Sequence, residues 1–345
     1  MGVQFKDLIT AKKIEIKDLV DKTLVVDASM WLYQFLSSIR APDGSLFTDS
    51  KGNVTSHLMG LSTRVPNLML RGIKLAFCFD GEPPELKYHE QKRRKEAKVQ
   101  AKLKYKEALK KKDIEEMKKY ASRTSRLTSN MVEDAKKLIK ALGLPVIQAP
   151  SEAEAQAAHI VKQRKAHAVA SNDYDSLLFG APCIIRNLSI LGKRKKVSKI
   201  SYETVKPEII KLSETLNNLG VDQDQLIVLA MLVGTDYNRG GIRNIGPKTA
   251  LKLVKEHKND FDALFKKVGW DACFDYPWTE VFYLIKKIPV TKDYDLVWKK
   301  PNKNKILDIL VHKHDFSEER VKNTLEKLEK ETKKGAQKGL ASWLK

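Results

Sequence analysis

The sequence predicts an α/β fold in which a central, mostly parallel, twisted sheet is flanked by helices. Short apolar runs rich in β-branched residues alternate with helical patterns, which is the order typical of such sheets. Each of these runs ends in, or leads into, acidic residues. With 345 residues and 42% hydrophobic content, the chain can bury one large core or two smaller ones.

The first strand predicted, at 22–28, ends in Asp27, and the second ends in Asp80. In parallel sheets, ligands bind at the carboxyl ends of the strands, so we expect these acids to lie close together. Strands are predicted at 22–28, 73–81, 144–151 and 166–175, and helices at 29–39 and 152–163.

Residues 87–119 contain 14 Lys or Arg against 6 Asp or Glu and neither Gly nor Pro, which predicts one basic helix. A solvated helix without a special role would have the same composition. Its position directly after Asp80 favours a functional arm. From about residue 208 onward we expect only helices, interrupted by a Gly-rich turn at 234–250.

Seven carboxylates stand where predicted strands or helices end. Asp173 and Asp175 are two apart, which in an extended segment points both side chains to one face. Taken alone, Glu152 and Glu154 fit a helix capping box after Ser151 equally well, and single strand-end acids fit turns. Their joint occurrence at one sheet edge favours a common site, formed by Asp27, Asp80, Glu152, Glu154, Asp173, Asp175 and Asp236.

Ligands that offer only oxygen suit hard cations such as Mg²⁺ or Mn²⁺ and disfavour zinc. Two such ions can activate water and stabilise a phosphodiester displacement, so hydrolysis would need no Ser or His nucleophile. None of the seven histidines shows the spacing of a paired metal site. The formal net charge of +21 makes nucleic acid the leading partner class.

The segment 240–258 predicts a helix–hairpin–helix whose turn, at Gly246, exposes backbone N–H groups that can hold a phosphate. Lys248, Lys252 and Lys255 follow it closely. An ordinary helical hairpin remains the alternative. A second basic segment at 186–199 is predicted to be a loop that adds phosphate contacts.

The carboxyl-terminal tail contains Gln337, Leu340, Trp343 and Leu344, a spacing that gathers three apolar side chains beside one glutamine on a helical turn. Short patterns of this kind also arise by chance. On a chain that acts on DNA, they favour a partner-binding box. The three cysteines show no paired spacing, and neither a secretion signal nor a membrane span is expected.

Seven motifs, in order, resemble the flap endonucleases of the archaeal and eukaryotic type, and the resemblance runs over essentially the whole chain. They are MGV at the start, DASMWLYQFL at 27–36, FDGEPPELK at 79–87, APSEAEAQAA at 149–158, SNDYDSLLFG at 171–180, VGTDYN at 233–238 and IGPKTAL at 245–251.

This resemblance implies a PIN-like 5′ nuclease fold and a structure-specific 5′ flap endonuclease with 5′–3′ exonuclease activity. It also implies that the seven acids bind two Mg²⁺ ions, with Mn²⁺ as a substitute. Lys87 and Arg94 would steady the scissile phosphate, Tyr33 would stack on a terminal base, and Gly2 would line the site. A K⁺ ion would bridge the hairpin to duplex DNA, and the arch would enclose the 5′ flap.

By the same resemblance, the tail is a box that binds the sliding clamp, proliferating cell nuclear antigen, on an otherwise monomeric protein. Only Lys345 follows the box, which favours an archaeal, cytoplasmic protein over a eukaryotic, nuclear one. The predicted regions are a nuclease core at 1–86 and 131–330, an arch at 87–130, the hairpin at 234–258 and a tail at 331–345.

Two alternatives remain open at this point. Related repair endonucleases that cut bubbles carry a very long insertion between the second and third acidic motifs, whereas here only residues 81–151 intervene. A non-catalytic DNA-binding clamp adaptor on a dead nuclease scaffold should have lost acids, but all seven are present.

Overall fold

The computed structural model describes residues 3, 5, 7–111, 113–190, 192–195 and 202–343. At 114, 118, 122, 190, 192–195, 202–204 and 332–343 it describes the backbone only. Within these residues, no helix is both long and apolar enough to cross a bilayer.

A seven-stranded mixed sheet with the order β1-β9-β6-β5-β2-β3-β4 forms the centre of the molecule. The five adjacent strands β6, β5, β2, β3 and β4 are parallel to one another. At the other edge, β9 is antiparallel to β6, and β1 is antiparallel to β9. The mostly parallel sheet is therefore confirmed. The strands are β1 Lys12–Lys13, β2 Thr23–Asp27, β3 Lys74–Phe79, β4 Val146–Gln148, β5 Ala168–Ala170, β6 Cys183–Arg186, β7 Gly192–Lys195, β8 Tyr202–Val205 and β9 Glu208–Lys211.

Helices surround this sheet. The α-helices are α1 Ala28–Ser38, α2 Ser56–Met69, α3 Lys87–Lys110, α4 Ile114–Ala121, α5 Ser129–Ala141, α6 Ala153–Lys162, α7 Asp175–Leu178, α8 Leu212–Leu219, α9 Gln223–Val233, α10 Pro247–His257, α11 Phe261–Lys267, α12 Trp278–Lys286, α13 Lys303–Leu307 and α14 Glu318–Trp343. Short 3₁₀ segments lie at Ile16–Leu19, Ser122–Thr124, Leu188–Ile190 and Trp270–Ala272, and a π-helical turn lies at Asp308–His312.

Both faces of the sheet are buried, as the continuous apolar runs of the inner strands require. Side chains alternate along a strand, so Val25 joins the apolar cluster on one face of the sheet while Leu24 and Val26 join the cluster on the other. On this second face, Trp31 of α1 packs edge-on against Phe77 of β3 with ring centroids 5.8 Å apart. This packing fixes the carboxyl ends of β2 and β3 beside each other.

The basic segment 87–119 forms two helices, α3 and α4, rather than the single helix predicted from its composition. The Asp113 carboxylate accepts a hydrogen bond from the backbone N–H of Glu116 at 3.0 Å and so caps the start of α4. The chain turns back at this point. We call α3, α4 and the 3₁₀ segment that follows them the arch.

Residues 234–246, between α9 and α10, form a turn held by one buried side chain. The amide of Asn238 donates to the Met231 carbonyl at 2.6 Å and accepts from the Thr235 hydroxyl at 2.6 Å. Gly241 lies in the left-handed region, and a Cβ there would come within 2.3 Å of the Leu232 carbonyl oxygen. The predicted Gly-rich turn between two helices is confirmed.

Two expectations for the middle of the chain were wrong. Residues 208–211 form strand β9 at the sheet edge, so the chain is not purely helical from 208 onward. The basic segment 186–199 is not a simple loop, because β7 pairs with β8 in a two-stranded hairpin. Residues 191 and 196–201 lie outside the described part of the chain.

Candidate active site

All seven predicted carboxylates line one cleft of about 1080 Å³ between the arch and the carboxyl edge of the sheet. They come from widely separated parts of the sequence, and the parallel strands bring them together. The carboxylates that line the cleft are Asp27, Asp80, Glu152, Glu154, Asp173, Asp175 and Asp236.

Two aspartates also fix the local backbone at strand ends. Asp27, the last residue of β2, accepts the Met30 N–H at 3.0 Å and caps α1. Asp80 accepts the Ala153 N–H at 2.8 Å and joins the end of β3 to the start of α6. Their turn and cap roles were the alternative to a site. Here the same two carboxylates have both functions: they accept hydrogen bonds from the backbone, and they also line the cleft.

Glu154, Asp173 and Asp175 form the tightest group. One carboxylate oxygen from each lies within 4.8 Å of the others. The reason first given for the aspartate pair was wrong, because Asp175 begins helix α7 and the segment is not extended. Hydrogen bonds arrange the group instead: Ser171 donates to Glu154 at 2.9 Å, and the Val3 N–H donates to Asp175 at 2.8 Å.

Gly81 sets the distance between the loop after β3 and the loop before α6. Its N–H donates to the Ser151 carbonyl at 2.6 Å. A Cβ at this position would lie 2.2 Å from the Ala149 carbonyl oxygen and 2.5 Å from atoms of Pro150. Only glycine allows this approach, so Asp80 and Glu152 are held next to each other by a residue without a side chain.

Burial makes the cluster hold protons. Burial, with the charge of Asp80 as the second cause, raises the pKa of Asp27 to about 8. Burial, with the charge of Asp173, raises the pKa of Glu154 and that of Asp175 well above their usual range. The ionised forms of these carboxyls are therefore destabilised by burial and by one another, and a bound cation would stabilise them.

Two cations of the arch reach into the cluster. Lys87 Nζ lies 2.6 Å from Glu152 Oε2 and 3.7 Å from Asp236 Oδ2. Burial is the largest single influence and favours the neutral amine, but the charge and hydrogen bond of Glu152, together with the charges of Asp236 and Asp80, outweigh it and raise the pKa of Lys87. Arg94 donates to Asp236 Oδ1 at 2.6 Å. Because the two are seven residues apart on α3, both face the same side, as their spacing predicts.

The rest of the cleft wall is basic and aromatic. Tyr33 is 39% exposed, and Lys98 Nζ lies 4.8 Å from its ring centroid. The arch adds Lys104, Tyr120 and Arg123. Such a wall suits a polyanionic strand with stacked bases.

Sequence reasoning missed two buried residues that support the cluster. Ser171 holds Glu154, and Glu90 binds Arg93, Arg94 and Arg239. Hydrogen bonds from Arg93 and Arg94 lower the pKa of Glu90 to about 2. The spacing of Glu90 three and four residues before two arginines was a visible helical signal. No sequence signal marked Ser171.

The predicted DNA-contact residues of the hairpin lie outside this cleft. Gly246 is the residue before α10, and it is exposed, with open space around its Cα. Lys248 and Lys252 are exposed on the same helix. Gly2 and Leu344 lie outside the described residues, as do the side chains of Gln337, Leu340 and Trp343.

The carboxylate oxygens of the cluster fit a hard divalent cation. Glu154, Asp173 and Asp175 are close enough to share one ion, and Glu152 Oε1 is buried and has no hydrogen-bond partner among the described residues. Oxygen ligands of this kind are those that Mg²⁺ and Mn²⁺ take.

Comparison with known proteins points the same way. Residues 1–101 match the family model described as XPG N-terminal domain, and residues 143–236 match that described as XPG I-region. The chain is 50% identical to flap endonuclease 1 of Pyrococcus furiosus, with 100% of both chains covered.

Among solved structures, flap endonuclease-1 from Methanococcus jannaschii matches with a TM-score of 0.74 and 41% identity, covering 95% of this chain and 98% of that chain. The catalytic core of Rad2 in complex with DNA substrate matches with a TM-score of 0.68 and 25% identity, covering 95% of this chain and 100% of that chain. The similarity in fold therefore extends over nearly the whole chain.

Proposed function

This chain belongs to the flap endonuclease family, and we propose that its carboxylate cleft is where that family's reaction takes place. The protein is a structure-specific 5′ flap endonuclease with 5′–3′ exonuclease activity. It cuts phosphodiesters at junctions of single-stranded and duplex DNA, in Okazaki-fragment maturation and base excision repair. The observation that carries the assignment is the meeting of seven acids with Lys87 and Arg94 in one cleft.

The seven carboxylates would hold two Mg²⁺ ions, with Mn²⁺ as a substitute. When bound, the ions supply positive charge to the scissile phosphate and favour ionised water as the nucleophile. Asp27, Glu154 and Asp175 would bind in their ionised forms, so they must first lose the protons that burial favours.

Lys87 and Arg94 already provide cationic donors at the cluster. We propose that on substrate binding their N–H groups turn from Glu152 and Asp236 to the scissile phosphate oxygens. Charge-assisted donors of this kind stabilise the charge that develops during displacement. The two residues therefore act on the chemical step more than on DNA affinity.

The arch would enclose the single-stranded 5′ flap, and Tyr33 would stack on the terminal base. Exposed Tyr33 lies in the wall that Lys98 also lines, which supports a stacked base next to a phosphate. Duplex DNA would contact the N-terminus of α10, where Gly246, Lys248 and Lys252 are all exposed. A K⁺ ion would bridge this turn to a phosphate, and Gly2 would line the site.

The tail residues Gln337, Leu340, Trp343 and Leu344 would bind the sliding clamp, and the protein would otherwise be a monomer. The regions would be the nuclease core at 1–86 and 131–330, the arch at 87–130 and the tail at 331–345. The two flap endonucleases reported above, from Pyrococcus furiosus and Methanococcus jannaschii, are archaeal, which supports an archaeal protein that acts in the cytoplasm on the nucleoid.

The test uses a double-flap DNA labelled at its 5′ end, incubated with and without Mg²⁺. We expect a product at the junction only with Mg²⁺, and we expect Asp173→Ala to make none. A matched bubble substrate serves as the comparison, since the related repair endonucleases that cut bubbles are the alternative within the enzymes. Faster cutting of the bubble would favour the repair-type activity, and binding without cutting would favour a non-catalytic adaptor.

A further inference from the structure

Glu90, on the first turns of α3, is the centre of a buried ionic cluster beside the candidate active site. Its side chain is 7% exposed. Oε1 accepts from Arg94 Nε and from a terminal nitrogen of Arg93, both at 2.7 Å, and Oε2 accepts from Arg93 Nε at 2.9 Å. Arg239, in the turn before α10, lies 3.3 Å from Oε2.

This arrangement holds the Arg94 guanidinium on two sides. Its Nε donates to Glu90, while a terminal nitrogen donates to Asp236 at 2.6 Å. A guanidinium is a planar fork, so fixing Nε sets the direction in which its terminal nitrogens point. Without Glu90, the one remaining hydrogen-bond partner of Arg94 among the described residues would be Asp236, which is itself one of the seven acids of the cleft.

We propose that Glu90 is a positioning residue for cleavage, and that it acts by holding Arg94 in the orientation needed at the scissile phosphate. The inference rests on the proposed function, because it needs Arg94 to act on that phosphate. It is independent of which carboxylates bind metal.

The other two arginines pair with Glu90 but do not connect it with the acid cluster in the described ion pairs. Arg239 is 59% exposed, so solvent screens its contact with Glu90. Arg93 binds both oxygens of Glu90, but among the described ion pairs it contacts none of the seven acids of the cleft. Arg94 is the partner that connects Glu90 with the acid cluster.

The test is a double-mutant cycle on the full-length protein with flap DNA and Mg²⁺ under single-turnover conditions. The variants are Glu90→Gln, Arg94→Ala and both together. Glu96→Gln is the matched control, because Glu96 is exposed on the same helix and its loss removes the same charge. Arg239→Gln tests whether Glu90 acts instead through its contact with Arg239 in the turn before α10.

Misplacing a catalytic group by about 1 Å can cost about 100-fold. We therefore expect Glu90→Gln to slow cleavage about 10- to 100-fold with DNA affinity within about threefold, and to cost less than about twofold when Arg94 is already alanine. Glu96→Gln and Arg239→Gln should remain near wild type. Glu90→Asp, which keeps the charge, should recover part of the rate.

Several results would overturn the proposal. One is an equal loss from Glu90→Gln with and without Arg94, which would mean a purely structural role. Another is a loss from Arg239→Gln as large as that from Glu90→Gln, which would assign the role to the turn. If Glu90→Gln lowers the thermal midpoint severely, the Glu90→Asp cycle decides by the same criterion. A wild-type protein that cuts no flap DNA would instead contradict the proposed function itself.

Discussion

Replacement of Lys87 by alanine is the most direct test of how the arch takes part in cleavage. The Lys87 side chain is 17% exposed, and its ammonium nitrogen lies 2.6 Å from Glu152 and 3.7 Å from Asp236. Solvent therefore screens the attraction between the Lys87 charge and these carboxylates only weakly. Two unit charges about 4 Å apart interact by ~4 kcal/mol at an effective dielectric constant of about 20. Removing one positioned donor from an active site costs about 3 kcal/mol of transition-state stabilisation.

That free energy corresponds to a fall of about 100- to 1000-fold in the single-turnover rate. DNA affinity should change by less than about threefold, because many phosphate contacts share the binding energy. The assay combines rapid-quench cleavage of a labelled flap substrate with binding measured in Ca²⁺. Lys110→Ala is the matched control, since Lys110 is an exposed lysine at the far end of α3.

A rate for Lys87→Ala within about fivefold of that for Lys110→Ala would refute the reasoning. So would a loss of DNA affinity that explains the whole loss of rate. Either result would make α3 a basic surface without a catalytic group.

Three further outcomes are expected. Asp173→Ala should lower the cleavage rate about 1000-fold or more with DNA affinity largely intact, and a variant within tenfold of wild type at saturating Mg²⁺ would contradict its metal role. Because the pKa of Asp27 is raised from 3.8 to about 8, metal-free protein should lose free energy of unfolding as the pH rises from about 4 to about 8. Mg²⁺ should then raise the thermal midpoint more at about pH 8 than at about pH 6, and an equal or smaller gain at the higher pH would contradict the assignment. Trp343→Ala should cost ~2 kcal/mol of clamp binding by calorimetry but leave clamp-free cleavage unchanged, and a loss of clamp-free activity would show that the tail packs on its own protein.

The sequence was most informative where a strand is long and β-branched. The runs ending in Asp27 and Asp80 correspond to β2 and β3, and their parallel pairing brings both acids to one edge. Strands β6 and β9 escaped prediction because each contains only two adjacent isoleucines beside a charged residue, which is too little to show a period. The break at Asp113 depends on a single capping side chain, which composition does not show.

The candidate site was predictable as a set of acids but not as a geometry. Helical spacing places Lys87 and Arg94 on one side of α3. Their partners Glu152 and Asp236 are distant in sequence, so the two ion pairs follow only from the fold. The same holds for the hydrogen bonds from Ser171 to Glu154 and from Val3 to Asp175, because no local sequence pattern predicts them.

The close approach at Gly81 has a consequence for the interpretation of genetic variants of this protein. A scan that ranks positions by the chemistry of their side chains would pass over Gly81, since it offers no donor, acceptor or charge. Yet a single methyl group there would push against the Ala149 carbonyl and Pro150, and so would force apart the loops that carry Asp80 and Glu152. An inactive Gly81→Ala allele would therefore resemble the loss of an acidic residue while every acidic residue was still encoded.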